Sequence, residues 1–240
     1  MRTSLACAVV ALSIVTGAHG AGAGQASRAI LALGHAPFIN ADGVRQATGA
    51  EVIREPSLPL KDVAVLVLAN VPFASLPQPI RDGLVEYVES GGALLITGGP
   101  QSFGSGGYNA VSSILPFQIR SDNDWRFISF RSPVPLQPGH PILAGVTFLT
   151  VGTVNDMNPR PGATEILQSP GGGRAALTTP GGGSGGSFLF PLVAELAVGA
   201  GRVIGIAFDL NDLAGMRDRD LFVQNTLAYL LTASRAGAHR

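Results

Sequence analysis

The residues whose types and spacing could do chemistry lie in one stretch, Gly98-Gly99-Pro100-Gln101-Ser102-Phe103-Gly104-Ser105-Gly106-Gly107-Tyr108. It directly follows Ala93-Leu94-Leu95-Ile96-Thr97, an apolar run of the kind buried on both faces in a parallel sheet. Ligands of open α/β sheets bind at the carboxyl ends of strands. Glycines there let backbone N–H groups approach a ligand, an anion or a developing oxyanion. An irregular loop that needs glycine only for its dihedral angles fits the same residues. The glycine spacing matches neither a dinucleotide fingerprint nor a P-loop, and Ser102 lacks the glycine two residues before it that a nucleophile elbow requires.

Other candidates are sparser. His140 sits in Pro138-Gly139-His140-Pro141-Ile142, where it reads as a turn residue or as a base without a visible partner. Asp122-Asn123-Asp124 lacks the glycine and distal Glu of a calcium loop and reads as turn chemistry. Asp209-Leu210-Asn211-Asp212 follows an apolar run, so Asp209 falls at a sheet end, as a cap or as a site residue. Apart from His19 near the start, the histidines are His35, His140 and His239, too dispersed to suggest a metal site. Neither a metal nor a cofactor is expected.

These residues need elements to hold them. Ala29–Leu33, Glu51–Arg54, Val63–Leu68 and Ala93–Thr97 read as strands. Asp42–Gly49 reads as a short helix capped by Asp42 and stopped by Gly49. Leu76–Ser90 is the clearest helix: Pro77 and Pro79 suit its first turn, Gly91-Gly92 ends it, and Ile80, Leu84, Val85 and Val88 share a face. Strand, helix and strand in so few residues make a βαβ unit. The second half is richer in strands, at Arg126–Phe130, Glu165–Leu167 and the hairpin of Leu192–Val198 with Arg202–Phe208. The tracts Gly171–Gly173 and Gly181–Gly186 flank an expected edge strand at Ala175–Thr178. A last helix opens at Asp218 and Asp220, with Leu221, Val223, Leu227, Leu230 and Leu231 as its apolar face.

Composition excludes whole classes of function. The 240 residues are 13% charged and 46% hydrophobic, enough apolar content to bury a core, so disorder is excluded. Zero formal net charge argues against nucleic acid as a partner. Lys61 is the only lysine and Cys7 the only cysteine. Arg2, the 11-residue apolar run Leu5–Val15 and the small residues Gly17–Ala21 together resemble a secretory signal peptide. That run is shorter than the roughly 20 residues a membrane span needs. Residues 1–24 are therefore expected to be removed, leaving a periplasmic or secreted chain without cysteine and without a transmembrane span. Such a chain has no disulfide, no thiol nucleophile and no thiolate ligand.

Several stretches resemble a known family: Asp62–Leu68, Leu84–Gly92 and above all Gly91 through Tyr108, with Leu115-Pro116, His140-Pro141-Ile142, Pro161–Thr164 and Gly199–Val203. They look like the glutamine amidotransferase-like domain family, a branch of the class I glutamine amidotransferase-like superfamily. The resemblance covers nearly all of residues 25–240 and implies one domain. Its fold would be α/β and flavodoxin-like, a mainly parallel sheet with helices on both faces, here with a β-rich, Gly-rich excursion at about 121–194. In the enzymes of that superfamily a Gly-Gly-Pro turn helps form the oxyanion hole, and Gly98-Gly99-Pro100 is similar to it. The same enzymes carry a nucleophilic Cys in an elbow one helix later and a His near the C-terminus. The corresponding residues here, roughly Ile114–Asn123 and Asp209–Leu231, hold neither. Amidotransfer without its activated nucleophile is not expected.

The resemblance implies an exported, non-catalytic module of the bacterial cell envelope, binding a ligand or protein partner. Its surface would be Gly98, Gly99, Pro100, Ser102, Phe103, Gly104 and Tyr108, with His140 and Asp209 nearby and with Phe103 and Tyr108 as exposed aromatics. Two alternatives use the same loop. One is a cysteine-independent hydrolase in which Ser102 or a water attacks and His140 or Asp209 is the base. The other is a saccharide-binding domain of the trehalose-utilisation type.

Overall fold

Apolar residues in unbroken runs can bury both faces of a strand, and this is how the centre of the sheet is built. A computed structural model describes residues 29–147, 149–170, 189–212 and 217–234. In chain order its elements begin with β1 (Ala29–Gly34), α1 (Ala41–Thr48), β2 (Glu51–Ile53), β3 (Val63–Ala69), α2 (Gln78–Glu89) and β4 (Ala93–Thr97). There follow β5 (Phe117–Ile119), β6 (Trp125–Arg131), β7 (Val134–Pro135), β8 (Val151–Asn155), β9 (Met157–Pro159) and β10 (Thr164–Gln168). The hairpin β11 (Pro191–Val198) and β12 (Gly201–Ile206) and the helix α3 (Arg219–Ala233) complete the order. The expected leader, both glycine tracts and the strand expected at Ala175–Thr178 lie outside the described residues.

Eight strands form the main sheet, in the order β2-β1-β3-β4-β12-β11-β10-β7. The first five run parallel, and β11, β10 and β7 add an antiparallel wing. The parallel order, two-one-three-four and then the last, is that of a flavodoxin-like sheet. Two small antiparallel ribbons, β5 with β9 and β6 with β8, stand beside it. Alternate residues of each central strand serve two cores. Ile30, Val65, Val67 and Leu95 join one with Val44 of α1 and Phe222 and Leu227 of α3. Leu31, Leu66, Leu68 and Leu94 join the other with Ile80 and Leu84 of α2. Helices therefore cover both faces, and the chain has the α/β flavodoxin-like fold. Among the described residues no helix is long and apolar enough to cross a membrane.

Two local expectations shift for physical reasons. The cap of α1 is Asn40, whose side chain accepts the Gly43 N–H at 3.1 Å, and Asp42 falls inside the first turn. Gly49 stops the helix as expected, in the left-handed conformation. In α3 the buried face is led by Phe222, while Leu221 is exposed. Asp218, at the cap position, holds no helix N–H with its side chain; its Oδ2 accepts from Thr147 N and Oγ1.

Candidate functional site

The strand order fixes where a site can form. The chain leaves β1 for β2 on one side and crosses to β3 on the other, so a crevice opens beyond the carboxyl ends of these strands. His35 after β1, Asn70 after β3, Gly98–Gln101 after β4 and Asp209–Asp212 after β12 share that edge. Backbone and side chain lace them together. His35 N donates to Ala69 O at 2.8 Å, and Asn211 Nδ2 donates to His35 O at 2.9 Å.

The glycine loop leaves this edge, and its geometry separates the two readings of its glycines. Gly99 has φ +143, and a Cβ there would lie 2.3 Å from the Asn70 side chain. A Cβ on Gly98 would meet the Ala207 backbone at 2.6 Å. These glycines admit the protein's own atoms. The loop's N–H groups are also used internally. Gly99 N donates to Asn155 Oδ1 at 2.9 Å, and Gln101 N donates to Asn70 Oδ1 at 2.8 Å. Ser102, Gly106, Gly107 and Tyr108 N–H groups donate to carbonyls of the loop itself. The donor that an oxyanion turn would offer is thus held by an amide.

Asp124 anchors the far half of the loop. Its buried carboxylate accepts from Gly104 N at 2.9 Å, Ser105 N at 3.0 Å, Ser105 Oγ at 2.7 Å and Asn155 Nδ2 at 2.9 Å. Four donors make it a ligand-like centre whose ligand is the loop. Asn155, at the end of β8, completes the clamp by donating also to Gly99 O at 3.2 Å.

The aromatics expected on the surface are inside. Phe103 and Tyr108 are both fully buried. Phe103, at φ +46, packs edge-on against Phe117 with centroids 5.6 Å apart. Tyr108 packs edge-on against Phe73 at 5.5 Å, and its hydroxyl donates to Val71 O. Both rings fold the loop back onto the α2 face of the sheet, so neither meets a ligand at the surface. Gly98, Gly99, Ser102 and Gly104 are buried too, and of the expected loop residues only Pro100 is exposed, beside the exposed Gln101.

His140 lies away from the loop, beside β11 and α3. Ile142 N donates to its Nδ1 at 3.3 Å, which leaves Nε2 as the donor to Glu195 Oε2 at 3.0 Å. Glu195 of β11 also holds Arg202 and accepts from the Tyr229 hydroxyl at 2.9 Å. Glu195 is paired with Ile204 of β12, which is paired with Leu95 in the middle of β4. Gly98 lies three residues beyond Leu95, about 10 Å along the strand at about 3.3 Å per residue, and β4 is two strands away from β11. Asp209 does reach the carboxyl edge, where its Oδ1 accepts from Asn211 N and Nδ2, both at 2.8 Å. Ser102 Oγ is buried with no hydrogen-bond partner, so neither His140 nor Asp209 bonds to it. The nucleophile and its two expected bases are not assembled.

In the sequence Asp124 reads as turn chemistry, and Asn70 and Asn155 belong to no motif. The one visible hint was an Asn directly after the long apolar strand β3, where a left-handed residue suits the turn; its φ is +42. Among the described residues, no group of three or more His, Cys, Asp or Glu side chains is arranged to hold a metal.

The chain's three tyrosines are all held in their neutral form. Burial raises Tyr87 and Tyr108 well above the ordinary phenol value. Burial and the Glu195 carboxylate push Tyr229 up to about 12. An unfolded chain releases these protons near pH 10, so it binds fewer protons than the folded one above that pH. Stability should then fall as pH rises from about 10 through the folded values. In a spectrophotometric titration the folded protein should show almost no phenolate at pH 10.5. A third of the tyrosine signal ionising near pH 10 would contradict the burial of one ring.

No protein-family model and no curated protein matches the sequence. Solved structures share its fold at low identity. A Salmonella typhimurium protein, named only as a cytoplasmic protein, is 17% identical with a TM-score of 0.60, over 84% of this chain and 98% of that one. A second, from Salmonella typhimurium LT2 and named in the same way, is 14% identical with a TM-score of 0.61, over 84% and 99%. A protein from Bacteroides uniformis described as ThuA-like is 15% identical with a TM-score of 0.50, over 87% and 94%. At such identities the likeness shows the fold alone.

Proposed function

We propose that the chain is an exported, non-catalytic glutamine amidotransferase-like module of the bacterial cell envelope, which binds a ligand or protein partner at the carboxyl edge of its sheet. What supports binding there is the concentration of unsatisfied polar groups. Thr97 Oγ1, Ser102 Oγ and Asn211 Oδ1 are buried without a hydrogen-bond partner among the described residues, and all belong to this edge or its loop. Each such group costs about 1–3 kcal/mol, and their gathering beside the strained Asn70 is the pattern expected where function outweighs stability. The surface offered is His35, Pro100 and Gln101, with Asn70, Asp209 and Asn211 half-buried among them. Glycines 98, 99 and 104 shape this surface from below. The non-catalytic reading rests on the Ser102 hydroxyl, which hydrogen-bonds to no base among the described residues.

A saccharide is the second reading. Amides and a carboxylate at one edge suit hydroxyl groups, and the likeness to a protein described as ThuA-like favours a trehalose-utilisation type of domain.

Immobilised protein should retain a specific component of an envelope extract. The double variant His35→Ala/Gln101→Ala, in which both side chains are exposed, should lose it while melting unchanged. Undiminished capture by that variant would place the binding surface elsewhere. Glutamine incubated with the protein should release no ammonia above the buffer rate, and steady turnover would overturn the non-catalytic reading.

A further inference from the structure

A second concave surface lies on the β5/β9 ribbon, away from the sheet edge. Its volume is about 590 Å³, within the range of small-molecule sites. The polar side chains lining it are Asn109, Ser112, Gln118, Arg120, Asn158 and Arg160, with the carboxylates of Asp122 and Asp156 at its margin, bonded to Asn109 and Arg120. Register explains their arrangement. Gln118 stands directly opposite Asn158. Arg120 directly follows β5, two residues on from Gln118, and Arg160 directly follows β9, two residues on from Asn158 in the opposite direction, so both share the face of the amide pair. Along the backbone the two arginines stand about 7 Å from the amide pair on either side, two residues at about 3.4 Å each.

Both cations are held in place. Arg160 Nη1 donates to Leu115 O at 3.1 Å and to Ser112 O, and Arg120 Nη1 donates to Asp156 Oδ1 at 2.9 Å. In each case one nitrogen is the anchor, which leaves Nε and Nη2 of a planar fork for an oxyanion. The facing side chains of the ribbon, Phe117 and Met157, are buried and stiffen it from behind. A positioned fork loses little freedom on binding.

We infer that this face binds an acidic saccharide: a sugar ring lying across Gln118 and Asn158, with its carboxylate or phosphate on Arg120, the exposed guanidinium, and Arg160 at the ring's other side. Amides, which donate and accept, read the hydroxyls; the guanidiniums read the acid. A bare oxyanion would use the forks and leave the amide pair idle. The site is independent of the proposed sheet-edge surface.

Calorimetric titration of the full chain in 150 mM NaCl tests this with four probes: digalacturonate, glucose 6-phosphate, maltose and inorganic phosphate. At least one acidic sugar should bind saturably, and maltose and inorganic phosphate should bind at least about tenfold more weakly, since a charged hydrogen bond is worth about that much. Arg120→Gln, which removes only an exposed ion pair, should weaken the acidic sugar by about tenfold. Asn158→Ala should weaken the sugar and leave inorganic phosphate unchanged. Amide chemical shifts should move within residues 116–120 and 156–160. The inference fails if neither acidic sugar saturates, if maltose or inorganic phosphate binds as tightly, if Arg120→Gln changes nothing, or if the shifts fall at residues 98–101 and 209–212.

Discussion

Asp124→Ala should lower stability by about 4 kcal/mol, the largest effect expected of any single polar residue described. The carboxylate is fully buried and receives two backbone N–H groups, a hydroxyl and a side-chain amide. Truncation strands all four, and each stranded donor costs about 1–3 kcal/mol. Relief of the buried charge offsets part of that sum. For a chain of this size, 4 kcal/mol corresponds to a melting temperature lower by roughly 8–16 °C. Asp124→Asn is the informative companion: it keeps one acceptor oxygen but turns an NH2 group towards donors that need an acceptor. It should fall between Ala and the natural residue. A loss below 3 °C for Asp124→Ala would mean that the glycine loop holds its shape without this anchor.

What the sequence could and could not show follows from the range of each interaction. The strands β3 and β4 were legible because both faces are buried, so every position but Thr97 at the end of β4 is apolar. Helix α2 was legible because Pro77, Pro79 and Gly91 punctuate it locally. The cap of α1 was missed by two residues, since Asn40 and Asp42 carry equivalent acceptors and only the backbone decides between them. The loop was legible as a place but not as a mechanism. Its partners lie 20 to 56 residues away, at Asp124 and Asn155, and no spacing rule joins such groups. Phe103 and Tyr108 looked exposed because glycines surround them. They are buried because those glycines let the chain turn back onto Phe117 and Phe73. His140 caps the turn Pro141–Leu143, in keeping with its Gly/Pro setting, yet its tie to Glu195 crosses 55 residues and no spacing rule shows it.

Gly104→Ala should cost about 3 kcal/mol, and the cause is purely steric. Gly104 is not among the glycines with positive φ, so an alanine has no backbone strain to bear there. The added Cβ would, however, lie 2.0 Å from Ser121 O, 2.9 Å from Ile119 Cγ2 and 3.1 Å from Asp124 Cγ. The nearest neighbour is backbone, which cannot swing aside as a side-chain end can. Either the loop or the Ser121 turn must shift, and a shift stretches the Gly104 N–H bond to Asp124. Overpacking of this kind costs about 1–3 kcal/mol before any hydrogen bond is lost. Gly107→Ala is the contrasting variant. It has open space around its Cβ but φ +77, so it should cost only about 1–2 kcal/mol of left-handed strain. The mechanism also makes a claim about coupling. Gly104→Ala and Asp124→Ala break the same bond, so the double variant should be less destabilised than the sum of the singles by about 1 kcal/mol or more. Strict additivity in denaturant titration would show that the methyl clash and the carboxylate clamp act on separate parts of the loop.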